Sequence, residues 1–438
     1  LENWQYSSAY FNGNAVKVSL VAVTGEKNTV HISGIKVGEP QAKHSNAARI
    51  SSESLQSKTQ SASSASASIV QDNPAAKAVG RFTNGTIAKG TGWIAANGAI
   101  VTDINFGSYE DVVIGNENHL NDFDVIEFNV PPSNPDGSIK HPAPDDQFHL
   151  SKNHFFWRRI DGTYTLNGFE GSNFLRVWYY DRLSLSNYIG GYTIIEALPN
   201  NKGQRPGERI GEYFQVINHN SGWVMATYEM DIFHYSKGNW GAGSHTLKKT
   251  TVALKDPNYW ITRIDDKDRF LVYDIPNLLS GIWDDDIEGA PIVYKGSNVA
   301  VGIHSEGSSL ADSPSFGTGF RDQAFRKHLG EFFTTAMTYV DQASIVGAGN
   351  GNIYQPYLTV AEGVQKAAAN DILNIAKGTY NETVYINKPL KLSAPVGKVI
   401  IGASGATART AALPSIPREL YMDDAPVSFN DLAEEEDL

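Results

Sequence analysis

From Asp72 to Leu329 the chain is a long series of short apolar or alternating runs broken by Gly and Asn turns, with no amphipathic helical run until "FRDQAFRKHLGEFF". That punctuation restricts the fold more than any other feature. A strand hides its edges only against other strands, and a succession of short ones closes into a sandwich or a barrel. Aromatic residues at 11% and 40 glycines fit strands and turns. At 438 residues the chain has room for two to four cores, since a domain takes about 100–150 residues.

Outside this block the pattern changes. Residues 1–40 alternate in "NAVKVSLVAV" and "NTVHISGIKVG" around the turn "TGEKN", a small β domain at period two. Residues 41–71 are rich in Ser and Ala, with too little apolar mass for a core, and read as a linker. The barrel-like block is set at 72–332. Residues 333–404 begin with a helically spaced "QPYLTVAEGVQKAAA" and continue as closely spaced short strands, the pattern of parallel β-helix rungs. Two such rungs need a neighbour to pack on. Residues 405–438 form an acidic tail in which "APVSFNDL" is a short candidate strand.

The formal charge of −12 argues against a nucleic-acid backbone as partner. Much of that charge lies at one end: from Ser415 onward eight acids face Arg418 alone. No run approaches the ~20 apolar residues of a membrane span. Zero cysteines exclude disulfides, thiolate metal sites and a cysteine nucleophile. A chain beginning at Leu1 reads as one processed by removal of a signal peptide.

Specific motifs sit inside the β block. Residues 91–106 read "TGWIAANGAIVTDINF", residues 190–214 read "GGYTIIEALPNNKGQRPGERIGEYF", and residues 281–307 read "GIWDDDIEGAPIVYKGSNVAVGIHSEG". These frames resemble the trypsin-like serine peptidases, and more closely a secreted bacterial group of them. The resemblance implies a trypsin-like double β-barrel with the two flanking β regions. It also implies where the triad should lie: the histidine position falls on Asn105, the aspartate position on Gly191 and the serine position on Glu288. Asp286 takes the place of a glycine whose N–H would bind the oxyanion, and Phe106 that of a cysteine. His304 matches a histidine of the family and is read as structural. A shift of register would make Asp181 the acid.

Acyl transfer needs a nucleophile, a base and a group that orients the base. Asn105 is no base, Gly191 has no side chain, and Glu288 is a poor acyl-transfer nucleophile. A carboxylate at Asp286 would oppose an oxyanion. The expectation is therefore a pseudoprotease: no enzyme, no cofactor, and a structural subunit that associates with itself or with other surface proteins in an extracellular or cell-surface filament, sheath or fibre. Two rivals remain. One is a monomeric module gripping a peptide or glycan, with "HFFWRR" and "LRVWYY" as candidate aromatic lining and Phe106 or Trp283 as candidate plugs. The other is relocated carboxylate or metal chemistry at Asp284, Asp285, Asp286 and Glu288, a cluster that lacks the frame of a calcium loop.

Overall fold

The computed structural model describes residues 10, 12, 64–85, 87–103, 123–161, 188–217, 229–235, 245–253, 270–273, 287–306, 315–320, 323–333, 337–345 and 349–402. The expected N-terminal hairpin, most of the Ser/Ala-rich segment and the acidic tail lie outside these residues.

Residues 64–72, the end of the expected linker, form helix α1. Alanine favours helix, and Ile69 and Val70 pack against the barrel core, which offsets the ordering cost of the serines. The helix stops at Asn73, whose N–H donates to the Ile69 carbonyl at 2.9 Å and whose side chain accepts from the Ala75 N–H. Proline at position 74 cannot continue the ladder.

Six strands then close an antiparallel barrel. They are β1 (Val79–Thr83), β2 (Ala88–Ile94), β3 (Ile100–Thr102), β4 (Val125–Glu127), β5 (Gln147–Asp161) and β6 (Tyr188–Ala197), in the order β1-β2-β3-β6-β5-β4. Closure leaves no free sheet edge. Strands β1, β3 and β4 are buried at every residue, because further elements cover the barrel's outer wall. The close fit selects Gly92: a Cβ there would lie 2.5 Å from the Phe82 ring.

A short helix α2 (Pro206–Ile210) leads to the second unit. Strands β7 (Gln215–Val216), β8 (Glu229–His234), β9 (Lys248–Ala253), β10 (Phe270–Tyr273), β11 (Pro291–Tyr294), β12 (Val299–Glu306) and β13 (Ser315–Gly319) form a seven-stranded sheet. Its order is β10-β13-β12-β11-β8-β9, with β7 laid parallel on β12. Between the two units sits Trp93, fully buried, edge-on to Phe214 at 5.8 Å and tilted against Phe320 at 6.0 Å. Helix α3 (Gln323–Glu331) seats Phe325 and Leu329 on the same core, and the Asn97 amide donates to the Leu329 carbonyl at 2.7 Å. The mostly-β expectation holds.

Past α3, β14 (Met337–Val340) leads to helix α4 (Val360–Lys366), followed by β15 (Ile372–Ile375), β16 (Gly378–Tyr380), β17 (Lys391–Ser393) and β18 (Val399–Ile401). All ladders here are parallel: β14-β15-β17 in one sheet, β16-β18 in another. Helix α4 is held at both ends. Thr359 and Glu382 accept from its first N–H groups, and Lys388 donates to the carbonyls of Gln365 and Ala367 at its last turn. The stack rests on the β block. Gly397 N–H donates to the Gly207 carbonyl at 3.0 Å, the Tyr213 hydroxyl donates to Asp341 at 2.6 Å, and Lys377 pairs with Glu212. Burial raises the Asp341 carboxyl above its usual range, although the Tyr213 hydroxyl and Ala343 N–H favour its ionised form.

Candidate active site

The three motif frames meet in space. Thr102, at the end of β3 and three residues before Asn105, pairs with Thr193 on β6, two residues beyond Gly191. The turn carrying Glu288 rests on β2: Thr91 N–H donates to the Glu288 carbonyl at 2.8 Å. Gly289 follows with φ +82°, and a Cβ there would stand 2.0 Å from the Thr91 carbonyl and 2.1 Å from Thr102 Oγ1. The turn is thus pressed backbone to backbone on the first barrel, and glycine is the residue that permits it. Asn105, Phe106, Asp181, Trp283, Asp284, Asp285 and Asp286 lie outside the described residues.

Gly191 is buried, and its hydrogen bonds run to hydroxyls. Its N–H donates to Thr318 Oγ1 at 2.9 Å, and that hydroxyl donates back to the Gly191 carbonyl at 3.1 Å. Ser305 Oγ lies 2.9 Å from Thr318 Oγ1. Donation to the carbonyl uses the one proton of the Thr318 hydroxyl, so Ser305 supplies the proton of the third contact. Thr318 and Ser305 are both fully buried. The network joins β6 of the barrel to β12 and β13 of the second sheet, a seam of hydroxyls where the resemblance implies an aspartate. Sequence reasoning missed Thr318 and Ser305, because nothing in their local frames marks them; only the fold brings them to a glycine far back along the chain.

Glu288 is half-buried at the first turn position, with its main chain engaged as described. The N–H groups after it are turned inward: Gly289 donates to the His304 carbonyl at 2.9 Å and Ala290 to the Ile287 carbonyl at 3.2 Å. His304 N–H donates to the Ala290 carbonyl at 2.8 Å, so the histidine's backbone braces the turn. Its fully buried ring places Nδ1 2.5 Å from the Tyr273 hydroxyl. On β8 of the same sheet, burial pushes the His234 imidazole down to about 3, helped by the nearby positive charge of Lys248. His234 therefore stays neutral inside the sheet, with Nε2 2.9 Å from Thr250 Oγ1.

Among the described residues two carboxylate–imidazole pairs lie elsewhere, and both are closed. Glu127 and Arg81, each fully buried, form an ion pair at 2.8 Å, and the other Glu127 oxygen lies 2.5 Å from His141 Nδ1. His141 Nε2 faces the Gly85 carbonyl at 3.2 Å. Arg81 spends its remaining donors on the carbonyls of His245 and Lys140. In the second pair His154 Nδ1 lies 2.8 Å from Glu196, and Nε2 faces the Phe332 carbonyl at 2.9 Å. Burial disfavours the Glu196 anion, but His154 and Arg205 outweigh it and hold the carboxyl below its usual range. A base needs one nitrogen turned toward a reacting proton; here both ring nitrogens of each histidine face acceptors of the fold.

Among the described residues no three His, Asp or Glu side chains converge as a metal site. No described helix is long and apolar enough to cross a membrane. Of the aromatic run "HFFWRR", Phe155 and Phe156 pack against the core, whereas Trp157 is 46% exposed.

No family model and no curated protein matches the chain. Solved structures do. A Glu endopeptidase in complex with MPD is similar over 58% of this chain and 88% of its own, at 13% identity and TM-score 0.34. Neuropsin, a serine protease expressed in the limbic system of mouse brain, is similar over 58% and 94%, at 11% identity and TM-score 0.34. An inactivated protease paralogue of the scabies mite is similar over 59% and 93%, at 14% identity and TM-score 0.31. These neighbours are trypsin-like serine proteases, and at this level of likeness the reading of the site rests on the geometry above.

Proposed function

We propose that this chain is a secreted, non-catalytic pseudoprotease that serves as a structural subunit of an extracellular or cell-surface polymer. The observation that carries the loss of catalysis is the hydroxyl seam at Gly191. The backbone of Gly191, which the resemblance puts at the acid position, is engaged by Thr318, and Glu288, which it puts at the nucleophile position, lies on a turn pressed against the first barrel. Neither closed imidazole offers a substitute base. A scaffold freed from chemistry is available for binding or assembly, since function lies in sites rather than in folds.

Two measurements test this. Incubation with a fluorophosphonate probe and a panel of chromogenic esters should give no labelling and no turnover; a labelled residue in the β block overturns the loss of catalysis. Light scattering and imaging of the unstained protein in vitreous ice should show ordered polymers; a monomer across micromolar concentrations overturns the assembly role. A second reading, a peptide- or glycan-binding module, draws on Trp157, which turns outward from β5. An exposed ring of this kind is a common anchor at interfaces.

A further inference from the structure

Among the described residues the parallel stack ends at β17 and β18, each the outer strand of its sheet, so this rung presents two backbone edges there. Its surface is also apolar. Tyr385 is 84% exposed, Ile386 50%, Leu392 44%, Ile400 37% and Ile401 38%, and these five are most of the large exposed hydrophobics among the described residues. An edge of this kind is a template for another strand.

Charge narrows the occupant. From Thr383 to Gly402 the rung carries Lys388, Lys391 and Lys398 and no acid. Lys388 is committed to the end of helix α4, while Lys391 and Lys398 are exposed. The same chain holds an oppositely charged segment: from Ser415 to Leu438, eight acids face one arginine, and the apolar run "APVSF" lies between Asp424 and Asp431. A short apolar strand between acids complements an apolar rung flanked by lysines.

We infer that the terminal rung β17–β18 is an acceptor for the acidic C-terminal segment, residues 415–438, of a second copy, which adds as the next strand. This rests on the assembly reading, and that is why the donor belongs to a neighbour rather than to the same chain. Donor and acceptor are different surfaces, so the contact is head-to-tail, and where its rotation does not close into a ring it propagates into an open polymer.

Charge exchange in the full-length chain tests it. The rung variant Lys391→Glu/Lys398→Glu and the tail variant Glu434→Lys/Glu435→Lys/Glu436→Lys should each raise the concentration needed for association by roughly tenfold or more. All five changes in one chain should restore association toward the original value. Leu392→Gln should weaken it with no change of charge. Thermal melts and far-ultraviolet dichroism establish that each variant folds. Polymers that persist unchanged in both charge variants overturn this interface while leaving the assembly reading in place. A wild-type chain that stays monomeric overturns the assembly reading itself, and strong hydrogen-exchange protection of the tail in such a monomer assigns the rung to the chain's own segment.

Discussion

Thr318 places three hydrogen bonds on one buried oxygen, and two of them reach a glycine of the other unit. Replacing it with valine keeps the shape and strands the Gly191 amide and carbonyl without partners. Thr318→Val should cost about 1–3 kcal/mol in urea unfolding; a loss below about half a kcal/mol would mean that water or a shift replaces the hydroxyl. Gly289→Ala should cost about 2 kcal/mol or more, because φ +82° disfavours a side chain and the Thr91 carbonyl occupies its space. The frames holding Gly92, Trp93 and Gly289 were legible in the sequence, while the reasons for those residues, a close approach to Phe82, burial between two units and a turn at φ +82°, came only with the fold. Thr318 and Ser305 were not legible, because their meaning comes from a partner more than 100 residues away.

Among the elements, α1 shows where composition misleads. Serine and alanine diluted the apolar signal of residues 41–71, yet Ile69 and Val70 decide the matter by docking on the core. The double replacement Ile69→Ser/Val70→Ser should lower stability by about 2 kcal/mol; an unchanged melting curve would return this stretch to the status of a linker. Helix α4 and the short strands after it were readable, because Thr359 caps one end and Gly, Asn and Pro mark the turns. The seat of the stack was not readable. It depends on Tyr213 and Asp341, and Tyr213→Phe, by removing the donor from a buried carboxylate, should cost about 1–3 kcal/mol by denaturant titration.

For the whole molecule, acid is the sensitive direction through His234. Its folded value near 3 lies below the unfolded value of 6.5, so the folded state stays neutral while the unfolded chain takes up a proton. Stability from this source is complete above pH 6.5 and is lost as the pH falls from there toward 3. At pH 5 the loss should reach about 2 kcal/mol. Asp341, raised by burial, acts in the opposite sense, so the comparison must include His234→Gln, which keeps the bond to Thr250. Equal pH dependence in both proteins would remove His234 as the cause.

Strands β1–β6 have all been synthesised by Ala197, yet the ties that hold them come much later. The Asn73 amide donates to the Ser297 carbonyl, Gly191 waits for Thr318, and Asn97 waits for Leu329. At ordinary elongation rates the ribosome needs on the order of ten seconds to make that remaining stretch. During that time the six strands are present without their fasteners. In a newborn chain of this design the first barrel must rely on its own ladders until those later residues arrive.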